Sequence, residues 1–486
     1  MRALRAGRVF AALALLTACA VRAPAPTPEA PAPAARFADR IYVGGPILTM
    51  EGDAPEYAEA LATRDGRIAF VGTRADAEKL AGPDTRVVDL RGRALVPGFV
   101  APQGDLFATG FAELAADLRP PLEGYVSSVT GLTRALYAWS KTDAAQKLGW
   151  IVGTGFDETR LRERRAPTAD ELDEVSRTLP VVAIRWDGRA AALNSVARKL
   201  AGLGSKAAPR GLATGADFDA VAAALPSFDA ADEIARAQAV YASHGFTTAE
   251  ETGASRGRLA ALAAAAESGK LFLDVRAYAD VSSDALDVVS SRYRSKSYAS
   301  HFRIAGWALE LAGPADASFD AKLDEAAALK EQLVVRCDGA AALEALASAL
   351  RETNADDRRP IAVVPAGARR EQLDALRALG TVVRTSAPPA LRHVLARESA
   401  SSYATLRALT LEAARAAFED DDRGSLRVGK RADLAILSAD PVAKPVPLAR
   451  LVVLETVKDG KTISESSYAP GGTTSSNEIT RTTVSK

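Results

Sequence analysis

The sequence has few of the side chains that proteins use most often to bind transition metals. Histidine occurs three times, as His244, His301 and His393, and cysteine twice, as Cys19 and Cys337. Histidine is the commonest side-chain ligand of such metals and a frequent proton carrier in catalysis. The composition therefore leaves little material for a multi-histidine metal centre and limits the acid–base chemistry that is available.

The chain also lacks an excess of either charge. Lysine and arginine total 61, and so do aspartate and glutamate, so no overall charge attracts the protein to nucleic acid. Hydrophobic residues make up 48% and charged residues 25%, as in an ordinary globular protein. At 486 residues the chain is long enough for one large α/β domain and a smaller one.

The first residues, "MRALRAGRVFAALALLTAC", combine three arginines with a short apolar run. This pattern is typical of a signal peptide, and the run is too short for a permanent membrane span. "LTAC", ending at Cys19, resembles the bacterial lipobox, in which the cysteine is acylated and becomes the mature N-terminus. The alternative is ordinary cleavage at "ACA", residues 18–20. The lipobox interpretation predicts an exported protein, lipid-anchored and facing the periplasm from the outer membrane, since Ala20 follows the cysteine.

The remaining chain changes composition several times. Residues 21–35 are rich in proline and alanine, which is typical of a semi-rigid spacer. Short strands follow, with hairpin turns at Asp65-Gly66 and Asp459-Gly460. The predicted organisation is a signal peptide (1–18), a lipid-anchor tether (19–36), a composite β domain (37–96 and 405–465), a barrel (97–404) and a disordered tail (466–486).

The middle of the chain predicts an α/β fold. Apolar runs alternate with Ala/Leu/Glu-rich helical stretches, which favours a parallel sheet closed into a TIM-like (β/α) barrel. The β segments of both chain ends are expected to form a small composite β-sandwich. The candidate barrel strands are Trp150–Val152, Val181–Ile184, Thr247–Ala249, Leu271–Val275, Phe302–Ala305, Leu333–Val335, Ile361–Val364 and Thr381–Val383.

Five sequence motifs occur between residues 65 and 437. They are "DGRIAFVGT" (65–73), "PGFVAPQGD" (97–105), "WIVGTGFDET" (150–159), "PVVAIRWDGRAAALNS" (180–195) and "GSLRVGKRADLAIL" (424–437). Together they resemble the metal-dependent amidohydrolase superfamily, and within it the branch that contains N-substituted formamide deformylases. The resemblance implies a barrel with one or two divalent metals at the carboxyl ends of its strands.

At the positions where the family has its metal ligands, this chain has other residues. The family uses a His-x-His pair, a carboxylated lysine, two further histidines and a catalytic aspartate. Gln103 and Asp105 stand at the His-x-His pair, Arg303 at the lysine, and Arg336 and Val364 at the later histidines. A substrate-contacting histidine of relatives corresponds to Arg189. The segment between Ala387 and Leu406 is too short to carry the aspartate, so the last barrel strand is expected to be missing or rebuilt.

No other residues replace the lost ligands convincingly. We interpret the three histidines as surface or helix-capping residues. Asp105, Asp187, Glu250 and Glu251 could form an oxygen-rich site for Mg²⁺ or Ca²⁺, although carboxylates at strand ends are common without a metal. We therefore expect neither metal nor another cofactor.

The arginines at former ligand positions suggest a salt bridge instead. A guanidinium repels a cation and has no lone pair to donate, and a buried arginine needs a partner. The family register would place Arg303 and Arg336 at the barrel mouth, with Asp105 as the expected partner. The alternative is that both arginines reach solvent from a partly open barrel.

Three functions remain open at this point. The favoured one is a degenerate amidohydrolase-like lipoprotein that binds a small molecule or a protein, or acts as a scaffold. The second is a hydrolase of non-peptide carbon–nitrogen bonds with an unrecognised site. The third is an anion-binding protein that uses Arg189, Arg303 and Arg336, with Asp187 close by.

The lipobox interpretation has a direct test. A Cys19→Ser variant should either stay unprocessed or be released as soluble protein, because it has no acylation site. Fractionation of expressing cells into membrane and soluble pools measures this outcome. Membrane retention equal to that of the wild type, with normal processing, would contradict acylation at Cys19.

Overall fold

The structure is a computed structural model that describes residues 37–466 with gaps. Outside the described residues are positions 1–36, 103, 122–123, 205–211, 282–290, 312, 315–318, 322, 325–330, 353–358, 366, 386–401, 444–450 and 467–486. The predictions for Cys19, the tether, Gln103, His393 and the tail therefore fall outside them. None of the described helices is long and apolar enough to cross a membrane.

Strands from both ends of the chain form one eight-stranded sheet. The amino-terminal strands are β1 (Arg40–Leu48), β2 (Tyr57–Arg64), β3 (Arg67–Gly72), β4 (Arg86–Asp89) and β5 (Ala94–Pro97), with the short helix α1 (Arg74–Glu78) after β3. Strand β1 pairs with β4 along its first half and with β5 near its end, and its pairing register with β2 shifts between Val43 and Ile47. Hydrogen bonds thus join the strands of both chain ends into one sheet.

The two Asp-Gly hairpin turns contact each other at one end of this sheet. Asp65 and Asp459 both have positive φ angles, 53° and 48°, and each is followed by a glycine with a positive φ. Successive positive φ angles define the type I′ turn that Asp-Gly favours. The carbonyl of Gly66 accepts from Ala432 N–H at 2.9 Å, and Ala432 in turn accepts from Gly460 N–H at 2.9 Å.

A separate five-stranded sheet is inserted after the first barrel strand, β6 (Phe99–Val100). Its strands are β7 (Ala116–Asp117), β8 (Ile151–Phe156), β9 (Val181–Arg185), β10 (Ala190–Leu193) and β11 (Leu212–Thr214). The helices before and within it are α2 (Leu106–Leu114), α3 (Val129–Trp139), α4 (Asp143–Leu148), α5 (Ala169–Asp173), α6 (Ser195–Leu200) and α7 (Ala216–Ala224).

The sequence interpretation of this insert was wrong in one respect. The runs Trp150–Val152 and Val181–Ile184 were expected in the barrel, but their strands β8 and β9 belong to the inserted sheet. Strand β9 continues into an antiparallel partner, β10, through a turn at Gly188. An apolar run predicts a buried strand but does not predict which sheet the strand joins.

The six remaining candidate strands form, together with β6, a parallel sheet of seven strands within the described residues. After β6 come β12 (Phe246–Ala254), β13 (Asp274–Asp280), β14 (Phe302–Leu311), β15 (Gln332–Cys337), β16 (Ile361–Val364) and β17 (Val382–Thr385), each beside its predecessor. The associated helices are α8 (Ala230–Ser243), α9 (Arg256–Glu267), α10 (Ala340–Glu352), α11 (Arg370–Arg377), α12 (Ser402–Ala408) and α13 (Leu411–Ala416). The chain then returns to the first sheet through β18 (Leu434–Leu437), β19 (Val453–Lys458) and β20 (Lys461–Glu465).

The seven-stranded sheet curls into a half-barrel. The predicted barrel is therefore present as a parallel α/β sheet, and the described strands do not close it. At the β6 edge, Val100 N–H donates to the carbonyl of Leu409 at 2.8 Å, so the loop after α12 occupies part of the position where a further strand would pair.

The two faces of the half-barrel differ in polarity. Ala249, Ala277, Val335 and Ala362 face the helices and belong to the largest hydrophobic cluster. Because side chains alternate along a strand, their neighbours point to the concave face. A smaller apolar cluster around Tyr278, Val334 and Val363 covers part of this face. Buried charged side chains cover the rest.

Candidate functional site

Glu250 on β12 is fully buried on the concave face of the half-barrel. Its carboxylate accepts from Arg276 on β13, at 2.5 Å from Nη2 and 3.1 Å from Nε, and from Thr252 Oγ1 at 3.1 Å. Arg384 on β17 reaches the same carboxylate from the opposite edge of the sheet, with Nη1 at 3.3 Å from Oε1. The Glu250–Arg384 pair therefore spans the concave face from the second strand to the last.

Glu419 is a second buried carboxylate, delivered by the segment that follows α13. It accepts from Arg303 Nη2 at 2.6 Å, from Arg276 Nη1 at 3.2 Å and from the hydroxyl of Tyr298 at 2.7 Å. Burial alone would raise the pKa of Glu419, but the charges of Arg276, Arg423 and Arg303 outweigh it and lower the pKa to about 2. Glu419 is therefore ionised at neutral pH.

The network continues towards the eight-stranded sheet through Asp274. This buried carboxylate lies 2.6 Å from Arg423 Nη2, 3.0 Å from Lys458 Nζ and 2.8 Å from His301 Nδ1. Lys458 on β19 also lies 3.1 Å from Asp433. We call this chain of buried charges the interior network; its members are Glu250, Asp274, Arg276, Arg303, Arg384, Glu419, Arg423, Asp433 and Lys458.

The predicted pairing of Asp105 with Arg303 or Arg336 is wrong. Asp105 caps α2, where its Oδ1 accepts from Ala108 N–H at 2.8 Å, and its ion pair, at 3.7 Å, is with Arg258. Arg303 is the second residue of β14 and so lies at the amino end of the strand rather than at the mouth. Its carboxylate partner is Glu419.

The other former ligand positions also differ in orientation. Arg336 is next to last in β15 and half-buried on the concave face, as expected for the mouth. Val364 ends β16 but packs in the hydrophobic cluster between sheet and helices. A residue that faces the helices cannot share a site with one that faces the concave side.

Asp187 and Arg189 lie in the turn between β9 and β10. Asp187 pairs with Arg185 at 2.7 Å. Arg189 Nη2 lies 3.1 Å from Asp338 Oδ1, at the carboxyl end of β15. The turn of the inserted sheet therefore contacts the barrel mouth, but both side chains are already neutralised by partners.

The four carboxylates proposed as an oxygen-rich site are not brought together. Glu250 and Glu251 are adjacent in β12 and point to opposite faces, and Asp187 belongs to the inserted sheet. Across the described ranges, no group of three or more histidine, cysteine or acidic side chains is arranged to hold a metal ion. Two of the histidines are satisfied by other contacts, His244 by the carbonyl of Val240 at 2.8 Å and His301 by Asp274.

The residues on the concave face do not fit the metal that the sequence resemblance implies. The oxygens of Glu250 and Glu419 are engaged by guanidinium groups, which repel a cation. No side chain here offers the neutral imidazoles of a hydrolytic zinc site. We therefore derive no catalytic step through a metal.

A second acidic cluster surrounds Arg258 on the helix side of β12. Glu251 is fully buried, with Oε1 at 2.8 Å from Arg258 Nη1 and Oε2 accepting from Phe107 N–H at 3.1 Å. Burial, and then the charge of Asp105, raise the pKa of Glu251 to about 8 although Arg258 opposes them. Burial likewise raises the pKa of Glu233 to about 7.

Sequence reasoning missed most of the interior network. Arg276 lies in the middle of the strand "LDVRAYA" and Arg384 is the fourth residue of "TVVRT", and a charge inside a buried strand is a signal that could have been followed. Glu419 is the first residue of "EDDDR", an acidic run that is typical of a solvent-exposed segment. Its burial depends on the path of the chain after α13.

Comparison with known proteins adds a family context. The sequence profile of the amidohydrolase family matches residues 86–398 and 373–464. N-substituted formamide deformylase of Arthrobacter pascens is 32% identical over 149 residues, which cover 30% of this chain and 26% of that protein. Imidazolonepropionase of Symbiobacterium thermophilum is 43% identical over 89 residues, which cover 15% of this chain and 21% of that protein. The chain thus aligns with about a quarter of each curated relative.

Two solved structures share the architecture. Uncharacterized metal-dependent hydrolases from Pyrococcus horikoshii and Pyrococcus furiosus are 19% and 18% identical to this chain, both with a TM-score of 0.62. The alignments cover 87% and 83% of this chain and 99% of each hydrolase. At this level of identity, the likeness shows the fold alone.

The interior network predicts a large effect of one neutral substitution. Glu419→Gln keeps the side-chain shape but leaves Arg276, Arg303 and Arg423 short of a counter-charge, so the free energy of unfolding should fall by roughly 3–5 kcal/mol. Glu78→Gln, in an exposed surface pair with Arg74, is the matched control and should have little effect on stability. Urea denaturation measures both, and a Glu419→Gln protein as stable as wild type would contradict the network's role.

Glu251 predicts a pH dependence of stability. A carboxyl group with a pKa near 8 in the folded state and about 4.3 unfolded binds a proton preferentially in the folded state. Its contribution is complete below the unfolded value and is lost as pH rises through the folded one. The free energy of unfolding should therefore fall from pH 5.5 to pH 8, by up to about 1.4 kcal/mol per pH unit for this group.

Glu251→Gln should make that dependence shallower, because the amide does not titrate, while Glu233, whose pKa is raised to about 7, keeps its own contribution in this range. The lowered pKa of Glu419 and Asp274 places their own loss of stabilisation at lower pH, outside this window. Denaturation curves at several pH values give the slopes. Equal slopes for wild type and Glu251→Gln would show that Glu251 does not titrate in this range.

Proposed function

Since this chain belongs to the amidohydrolase family, we propose that it is a member in which buried ion pairs stand in place of the metal site. In this proposal the protein does not hydrolyse amides through a metal and acts instead as a binding or scaffold protein. We further propose that it is exported and held at a membrane by an acylated Cys19.

The observation that supports the proposal most directly is that both sides of the Glu250 carboxylate are bound by arginines. The carboxylate is bound by Arg276 and by Arg384, on the concave face that the family uses for chemistry. A metal could enter only if at least one guanidinium left, and the released arginine would then be a buried charge without a partner. Leaving such a charge costs several kcal/mol. The arrangement therefore opposes metal binding in addition to lacking its ligands.

The alternative is a hydrolase of non-peptide carbon–nitrogen bonds, as the name of the matching deformylase suggests for that relative. Within the described residues, no group of three or more histidine, cysteine or acidic side chains is placed to hold the metal that such a hydrolase would need. The anion-binding hypothesis in its original form is also disfavoured, because Arg303 is neutralised by Glu419 and Arg189 by Asp338.

Elemental analysis combined with an activity screen tests the proposal. Full-length protein purified without chelator should contain far less than one zinc, manganese or iron per chain, and should not turn over a panel of N-acyl and cyclic amides. Finding about one zinc per chain, removable by a chelator with loss of turnover, would overturn it. A Glu250→Gln variant separates an interior metal from a surface one, because only an interior metal should be lost with this carboxylate.

A further inference from the structure

We propose that the mouth of the half-barrel binds a small oxyanion, a carboxylate or a phosphate, between Arg384 and Arg336. The inference rests on the proposed function in one respect: the mouth is taken to hold no catalytic metal. This site differs from the anion site predicted from the sequence, which consisted of Arg189, Arg303 and Arg336. Arg384 was not part of that prediction.

Arg384 has a buried donor without a partner. Its side chain is 7% exposed and its Nη1 contacts Glu250, but Nη2 has no hydrogen-bond partner. Buried polar groups are nearly always paired, and an unpaired one, above all on a charged group, costs free energy. An oxyanion on Nη2 would satisfy this donor.

Arg336 supplies the second guanidinium. It is in register with Val363 on β16, and Val363 is in register with Arg384 on β17. Registered residues of parallel strands point to the same face, so both arginines face the concave side two strand spacings apart, about 10 Å between Cα atoms. Two long side chains can converge on one small anion across that separation.

Two carboxylates lie beside Arg336 in register or in sequence, and neither pairs with it. Glu310 is in register with it on β14 but is exposed, and the two side chains form no ion pair in the described structure. Asp338 follows two residues later, and its carboxylate pairs with Arg189 of the inserted sheet. Among the described residues, no carboxylate pairs with Arg336, so its positive charge is available to a ligand.

The charge balance of the interior network points the same way. Arg276 and Arg423 each contact more than one carboxylate, whereas among the described residues Arg384 contacts Glu250 alone and shares it with Arg276. The pKa of Arg384 is lowered because burial outweighs the attraction of Glu250, whereas the pKa of Arg276 is raised well above its ordinary value. The charge of Arg384 is thus less well compensated than that of Arg276.

The ligand class follows from the chemistry of these donors. A guanidinium presents planar N–H groups that match two oxygens of a carboxylate or a phosphate, and such bonds are stronger than neutral ones. Chloride offers no such pair of acceptors. Binding should therefore select oxyanions over chloride at equal ionic strength.

Calorimetric titration of the full chain with inorganic phosphate and with succinate tests the inference, in chloride buffers of constant ionic strength. Wild type should bind at least one of the two anions at one site, and which of them binds more tightly identifies the ligand chemistry. Arg336→Gln should weaken binding by about tenfold or more, as expected for the loss of a charge-assisted hydrogen bond. This variant should fold normally, since Arg336 is half-buried and makes no ion pair among the described residues.

Two further variants keep the result interpretable. Arg384→Lys retains a charge for Glu250 but has no planar pair of N–H groups, and should weaken binding similarly. Arg189→Gln, at an exposed arginine already paired with Asp338, is the matched control and should bind as wild type does. No binding to folded wild type, or equal binding to wild type, Arg336→Gln and Arg384→Lys, would overturn the inference. Zinc content and amide turnover, measured separately, would still decide the proposed function.

Discussion

The half-barrel depends on the mutual neutralisation of charges that its concave face buries. Arginine is costly to bury, and this protein buries four arginines and a lysine along one connected path. Each arginine is stabilised only because a carboxylate from another element lies within reach: Glu250 from β12, Asp274 from β13, Glu419 from the segment after α13. Such a network gives little net stability compared with an apolar core, but removing one partner of a buried pair lowers the stability of the fold strongly. The network therefore determines how these elements are arranged more than it stabilises the arrangement.

The network also joins parts of the fold that are distant in sequence. Arg384 connects the last parallel strand to the second, which helps to hold the sheet curled although the described strands do not close it. Lys458 connects the eight-stranded sheet to Asp274 at the amino end of β13. In a metal-dependent relative, a cation at the carboxyl ends of the strands could cross-link several strands in this way. Here guanidinium groups provide the positive charge that connects the strands.

The sequence was informative about the fold and much less so about the site. Periodicity and the Asp-Gly turns predicted strands at both ends and a parallel α/β middle, because hydrophobic alternation reports burial directly. The inserted sheet was missed because an apolar run does not identify its partner strands. Arg303 was assigned to the mouth by its place in a motif, yet a difference of a few residues along a strand moves a side chain from one end of the barrel to the other. Glu419 could not have been found, since its burial is a property of the chain path and not of its acidic neighbours.

The central claim is that guanidinium groups hold the carboxylates of the concave face, so that no metal can. The most direct measurement is an anomalous difference map at the zinc absorption edge, from crystals grown with excess zinc. The account predicts no peak near Glu250 or Glu419, and density that shows Arg276 and Arg384 on Glu250 and Arg303 on Glu419. A strong peak bound to Glu250, with Arg276 or Arg384 displaced from it, would contradict the account.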